Sequence, residues 1–232
     1  MAAQRPFIVI VPGASHSPAA YGYLSHLLQL AGYPVWSGLL HSVGNGNFTA
    51  EDDANVHGSV AVAGLGKTER AAQGKKGVIR QIYISAFLPK GGDGQSVLGA
   101  FGGKYPPHIR EDLPANLLRC DDRVAPLYQD VTPEGLRDVV AVAAMAQGIA
   151  SFNSPVPRAT WDSEQYKGRI AFIRTLNDAA VPLHVQQMMI EGTGVEWKVK
   201  DIESGHSPQF SQPEKLSAIL VELAKEFEAL EG

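Results

Sequence analysis

Two short segments near the carboxyl end hold side chains that can move a proton. Asn177-Asp178-Ala179-Ala180-Val181-Pro182 places a carboxylate just beyond one apolar run. Glu203-Ser204-Gly205-His206-Ser207-Pro208 places an imidazole just beyond the next. An imidazole can take the proton of a nucleophile, while a carboxylate fixes its tautomer and steadies the imidazolium that forms. Near the amino end, Pro12-Gly13-Ala14-Ser15-His16 follows the first apolar run, and its small residues allow a backbone N–H to approach a reacting oxygen. Each residue also has a plainer reading, Asp178 as a turn residue and His206 as a capped loop histidine. It is their joint placement after two successive strands that points to acid–base chemistry.

These loops need a sheet to bring them together. Residues Phe7 to Val11 read as a buried strand, and Tyr21, Leu24, Leu27, Leu28 and Ala31 recur at helical spacing before Gly32 in a C-cap position. A second strand begins at Pro34-Val35-Trp36 and ends near Leu39-Leu40, so the opening is a βαβ unit with parallel strands. Further strands are expected over Val78 to Leu88, Arg169 to Thr175 and Glu196 to Ile202. Between the last two lies a helix containing Gln186-Gln187-Met188-Met189, read as gap fillers. Leu216, Ile219, Leu220, Leu223 and Phe227 give the final helix its apolar stripe. In a parallel sheet of this kind, the loops at the strands' carboxyl ends form the site. From Pro89 to about Trp161, glycines and prolines punctuate short helical stretches, including Glu134 to Ile149. This segment is expected to be a lid insertion, at about residues 90–165, on a single domain spanning residues 1–232. Phe101, Leu117, Leu118 and Met145 are available to line an apolar pocket beneath it.

Composition excludes several classes. The chain has 232 residues, 24 acidic and 20 basic side chains, a net charge of −4 and 44% hydrophobic residues. That suits one domain with a real core and leaves no basic stripe for nucleic acid or anionic membranes. A single cysteine, Cys120, rules out an internal disulfide framework and the cysteine clusters of structural zinc sites. The run Phe7-Ile8-Val9-Ile10-Val11 is too short to span a membrane, and the expected compartment is the cytoplasm. There is no internal repeat.

Acid and histidine after successive strands match the chain order Ser…Asp…His of the α/β-hydrolase fold. Four segments in order carry a fuller resemblance: Ile10-Val11-Pro12-Gly13-Ala14-Ser15-His16, Ile84-Ser85-Ala86-Phe87-Leu88-Pro89, Asn177 to Pro182, and Ser204-Gly205-His206-Ser207-Pro208 with Ser211 and Pro213. The chain resembles the α/β-hydrolases grouped with small plant esterases and hydroxynitrile lyases, especially their fungal relatives. That resemblance implies a mostly parallel, doubly wound sheet under a helical lid. It implies Asp178 as triad acid, His206 as general base and Ala14 as an oxyanion-hole amide donor, with no cofactor and no metal. The activity it implies is hydrolysis of a small ester or lactone, with lyase chemistry possible on the same scaffold.

One part of that pattern is missing. The nucleophile belongs in a Gly-x-Ser-x-Gly type elbow between the Leu39-Leu40 strand and the Val78 strand. Here Val56-His57-Gly58-Ser59 runs directly into Val60-Ala61-Val62-Ala63-Gly64-Leu65-Gly66-Lys67, which reads as the helix that follows the elbow. A central strand and its elbow, roughly 25–30 residues, are therefore expected to be absent. Ser42 and Ser59 are the candidate substitutes, each more simply a loop or cap serine. The expected consequence is an impaired serine hydrolase, or a non-catalytic protein that binds a small ester-like ligand.

A rival class comes from Gly66-Lys67-Thr68, which ends like a phosphate-binding loop but follows only a weak strand. His16, His41 and His57 lie on separate loops without metal-ligand spacing. Asp52-Asp53 and Asp121-Asp122 read as helix-start or turn charges. Asp93, in Gly91-Gly92-Asp93-Gly94, is a second candidate acid that equally suits a turn.

Overall fold

The computed structural model describes residues 5–57 and 64–229. The amino-terminal part comprises β1 (Ile8–Ile10), α1 (Gly22–Leu30), β2 (Val35–Ser37), α2 (Ala50–His57), α3 (Lys67–Ala71) and β3 (Gln81–Ile84). The middle segment holds α4 (Val97–Ala100), β4 (Ile109–Asp112), β5 (Leu117–Cys120), α5 (Glu134–Ala143), β6 (Gln147–Gly148) and α6 (Ile149–Asn153). The chain then forms β7 (Ile170–Thr175), α7 (Leu183–Gly192), β8 (Lys198–Ile202), α8 (Pro208–Ser211) and α9 (Pro213–Ala229).

Strands β3, β7 and β8 form a parallel sheet, with Ile84 opposite Ile173 and Thr175 opposite Ile202. Alternation divides their side chains between two cores, as the two-residue period of a strand requires. Ile82, Ile84, Ala171, Ile173 and Ile202 face α1 and α9, against Leu24, Leu28, Leu216, Leu223 and Phe227. Tyr83, Ile170 and Phe172 face the other way, against Trp161, Trp197 and Ile190 of α7. Helices thus cover both faces, and the near-continuous apolar sequence of β7 follows from that.

Strands β1 and β2 pair in parallel, Ile8 with Val35 and Ile10 with Ser37. Among the described residues, no ladder joins this pair to β3–β7–β8. Ile8 and Ile10 share the core of α1 and α9. Their neighbours Phe7, Val9 and Val11 point to the opposite face and are 58%, 55% and 43% exposed. One face of β1–β2 therefore lacks the helical cover present over β3–β7–β8.

Several elements differ from expectation. The strand expected over Val78 to Leu88 is only Gln81–Ile84, because Ser85 takes a positive φ of 45° that turns the chain out of the sheet. The middle segment contains an antiparallel sheet, β4–β5–β6, that the helical reading missed. The helix expected to reach Ile149 stops at Ala143. Beyond it, Met145 N–H donates to the Ser15 carbonyl and Gly148 N–H to the Ser42 carbonyl, both 2.8 Å, so long-range partners take these amides from the helix. A Cβ on Gly148 would lie 2.4 Å from the Asn45 carbonyl oxygen, so only glycine permits that approach. Of the stretch read as a post-elbow helix, residues 60–63 lie outside the described residues, and residues 64–66 are not helical, the helix beginning only at Lys67.

Phe172 is fully buried and meets Trp197 edge-on, with ring centroids 6.2 Å apart. Phe172→Ala is expected to lower unfolding stability by about 3–5 kcal/mol, read from the urea midpoint at unchanged m-value.

Candidate active site

Parallel register brings the ends of β3, β7 and β8 to one sheet edge, and the first two side chains of interest meet there. His206 Nδ1 lies 2.9 Å from Asp178 Oδ2; the Asp178 side chain is wholly buried, whereas that of His206 is 25% exposed. Asp178 receives four other donors. Thr175 Oγ1 donates to Oδ2 at 2.7 Å and Ser85 Oγ donates to the same oxygen, while Oδ1 accepts the Ala180 and Val181 amides at 2.9 and 2.7 Å. Burial opposes the carboxylate charge. The hydrogen bond and charge of His206, with the Ser85 hydroxyl and Val181 amide, outweigh it and hold the acid below its ordinary range. An ionised carboxylate can only accept, so His206 Nδ1–H donates to it and keeps its proton, leaving Nε2 as the nitrogen with a free lone pair.

The flanking loops are braced from the middle segment. Asp130 Oδ2 accepts Gly205 N–H at 2.6 Å, and Gln129 Nε2 donates to the Asn177 carbonyl at 2.8 Å. A Cβ on residue 205 would stand 2.5 Å from Asp130 Oδ1, which is why the turn before His206 carries glycine. On the sheet side, Gln186 is fully buried. Its Nε2 donates to the Thr175 carbonyl at 2.9 Å and the Val181 carbonyl at 2.7 Å, and its Oε1 accepts Thr175 N–H at 3.1 Å. The gap-filler reading of Gln186 is thus corrected: it ties the end of β7 to the loop that carries Asp178. Asp130, Thr175 and Gln186 were missed because their roles depend on partners distant in sequence.

Three backbone amides of the loop after β1 are held by hydrogen bonds. Gly13 N–H donates to the Tyr21 hydroxyl at 3.0 Å, Ser15 N–H to Gln147 Oε1 at 2.9 Å, and His16 N–H to the Gly13 carbonyl at 3.2 Å. His16 Nδ1–H donates to the Ala14 carbonyl at 2.9 Å, so Nε2 accepts from Tyr128, 2.8 Å away. Burial lowers the His16 pKa, which suits this neutral tautomer. Among the described residues, the Ala14 N–H has no acceptor. Ala14 also borders a cavity of about 270 Å³ between the ends of β1 and β3, together with Val11, Asp53, Tyr83, Gln147 and Trp161. Asp178 and His206 are not among its lining residues. Nor are Phe101, Leu117, Leu118 and Met145, the residues expected to line the pocket; Phe101 instead backs Phe87, a lining residue, with centroids 4.7 Å apart.

Of the two candidate nucleophiles, Ser42 makes no hydrogen bond to His206. Ser42 is buried elsewhere: its N–H donates to Asp53 Oδ1 at 3.0 Å, its Oγ donates to Asp53, and it accepts from Gln147. Asp53 is thereby a partner of a buried serine and not merely a helix-start charge. Ser59 lies outside the described residues. Asp93 accepts the Gln95 amide in an exposed turn, 3.0 Å. In the loop with a phosphate-site ending, Gly66 N–H donates to Glu69 Oε2 and Lys67 N–H to the Val78 carbonyl, so these amides are already occupied. Among the described residues, no group of three or more His, Cys, Asp or Glu side chains could hold a metal, and no helix is long and apolar enough to cross a membrane.

No family model matches the chain. It is 26% identical to the probable hydrolase R7 of Phoma sp. (strain ATCC 20986 / MF5453), covering 95% of this chain and 98% of that protein. It is 24% identical to the α/β hydrolase nvfD of Aspergillus novofumigatus, covering 90% and 93% respectively. Among solved structures, a pyrethroid hydrolase from Sphingobium faniae JZ-2 superposes with a TM-score of 0.69 at 19% identity, over 94% of this chain and 96% of that one. The chain has the α/β-hydrolase fold.

A carboxylate with a depressed pKa contributes stability fully above the ordinary carboxylate range and loses it as pH falls through the folded value. Asp178→Asn is therefore expected to cost about 3 kcal/mol at pH 7, with the deficit shrinking below about pH 4. Urea unfolding at neutral and acid pH checks this.

Proposed function

We propose that this chain is a hydrolase scaffold for small, largely apolar ester- or lactone-like molecules that keeps its acid–base pair but is impaired in covalent serine chemistry. In this reading His206 is the general base, Asp178 orients it, and the Ala14 amide faces the developing oxyanion. One observation carries the impairment: among the described residues, the serine hydroxyl within hydrogen-bond distance of His206 is that of Ser85, 3.3 Å from Nδ1, the nitrogen already facing Asp178. Activation of a nucleophile needs the hydroxyl at the opposite nitrogen.

The gap in the sheet supports the same reading. The chain has no ladder between β1 and β3 among the described residues, and a cavity lies between their ends. The alignment with R7 runs over 248 positions, more than the 232 residues of this chain, so it opens gaps on this side. R7 thus carries residues without counterparts here. The cavity wall combines apolar Val11, Leu40, Val97, Phe152 and Trp161 with the polar Asp53 and Gln147, the mixture that binds and orients a small molecule. The lone thiol Cys120 supports a reducing, cytoplasmic setting. The lid corresponds to the insertion at about residues 90–165.

A fluorophosphonate probe, followed by mass spectrometry of the digested protein, tests the impairment. The expected result is no modified serine in protein shown by circular dichroism to be folded; modification of Ser42, Ser59 or Ser85 would overturn it. Binding of aryl esters is expected to quench Trp161 fluorescence saturably. Ala54→Phe, which fills the cavity, is expected to weaken that binding at least about tenfold.

A further inference from the structure

We propose that Ser85 is a positioning residue for the acid–base pair, holding the Asp178 carboxylate in register with His206 Nδ1. The inference rests on the reading of Asp178 and His206 as acid and base, and it assigns a role to a serine outside the expected triad.

Backbone geometry makes the first argument. Ser85 follows the last residue of β3, and its N–H still donates to the Ile173 carbonyl at 3.1 Å, so it remains tethered to the sheet. Its φ of 45° is a conformation that glycine adopts freely and L-residues rarely do. A serine at such a position aims a hydroxyl that glycine would lack. Strain of this kind persists where surrounding contacts over-determine the conformation, and it clusters at functional sites.

Hydrogen-bond bookkeeping makes the second. Ser85 is buried, and its Oγ donates to Asp178 Oδ2, the same oxygen that accepts from Thr175 and from His206 Nδ1. Three donors from the ends of three neighbouring strands therefore converge on one oxygen. Thr175 Oγ1 in turn accepts from Gln186 Nε2 at 3.1 Å, which orients its own proton toward Asp178. With Oδ1 held by two backbone amides, the carboxylate cannot rotate without breaking bonds on both sides. Ser85 supplies the contact from β3, and neither β7 nor β8 can replace it. Its hydroxyl proton is committed to the carboxylate and not to Nε2, which separates this role from that of a nucleophile.

The test uses the full chain, with Ser85→Gly and Ser85→Ala compared by carboxyl-carbon NMR titration of Asp178. Glycine suits the positive φ and keeps the fold, while alanine retains the Cβ, so together they separate the hydroxyl from the backbone. In both variants the Asp178 midpoint is expected to rise by about half a pH unit or more, because the anion has lost a donor. The His206 Nδ1–H resonance is expected to shift as well. Unchanged titration in folded Ser85→Gly would overturn the proposal, as would fluorophosphonate modification of Ser85 in the unaltered protein. Modification at Ser42 or Ser59 with an altered Asp178 midpoint would overturn the impaired-hydrolase reading and support the positioning role.

Discussion

A buried carboxylate surrounded by five donors governs the arrangement of this protein. An anion removed from water is costly unless its lone pairs are filled, and Asp178 fills them with Ser85, Thr175, His206 and the amides of residues 180 and 181. Those donors come from the ends of three different strands and from the loop that carries the acid itself. The parallel register of β3, β7 and β8 is what brings them within reach, so a shift in that register would expose or orphan the charge. The two-sided cores above and below the sheet keep the register in place.

The rest of the molecule divides according to its distance from that carboxylate. Around Asp178 helices cover both faces of the sheet, and both carboxylate oxygens are hydrogen-bonded. Around β1 and β2 one face is bare, and the connection to the main sheet runs through side chains and the core shared with α1 and α9. Gln147 is central there: it accepts from Ser15, donates to Ser42 and also donates to Ser151 at 2.9 Å. The cavity beside Ala14 is walled from both parts, by Val11 and Gln147 on one side and Tyr83 and Trp161 on the other, and neither Asp178 nor His206 lines it.

The middle segment does more than cover a pocket. Tyr128 and Val131 pack with Val140, Ala144 and Phe210, which seats α5 against α8 just beyond His206. Asp130 and Gln129 grip the two loops that carry His206 and Asp178 from the same short stretch. Residues 128–131 therefore join the packing of α5 and α8 to the loops that carry Asp178 and His206.

The amino-acid sequence alone determined the α/β class, the order of the main strands and the pairing of Asp178 with His206. Those features rest on local signals: apolar runs, helical spacing, and polar residues placed just past strand ends. It also marked the missing elbow as an expectation, since an elbow is a short motif whose residues must be contiguous. Tertiary structure alone decided which serine approaches the dyad. Ser85 stands inside an apolar run, and only its positive φ together with the register of β3 against β7 turns its hydroxyl to Asp178. Likewise Gln186 reads as filler on a helix face, and Asp53 as a helix-start charge, until Thr175 and Ser42 are brought against them from 11 residues away in sequence. A hydrogen bond between distant residues has no period and no composition, so it leaves no mark in the sequence until the chain has folded.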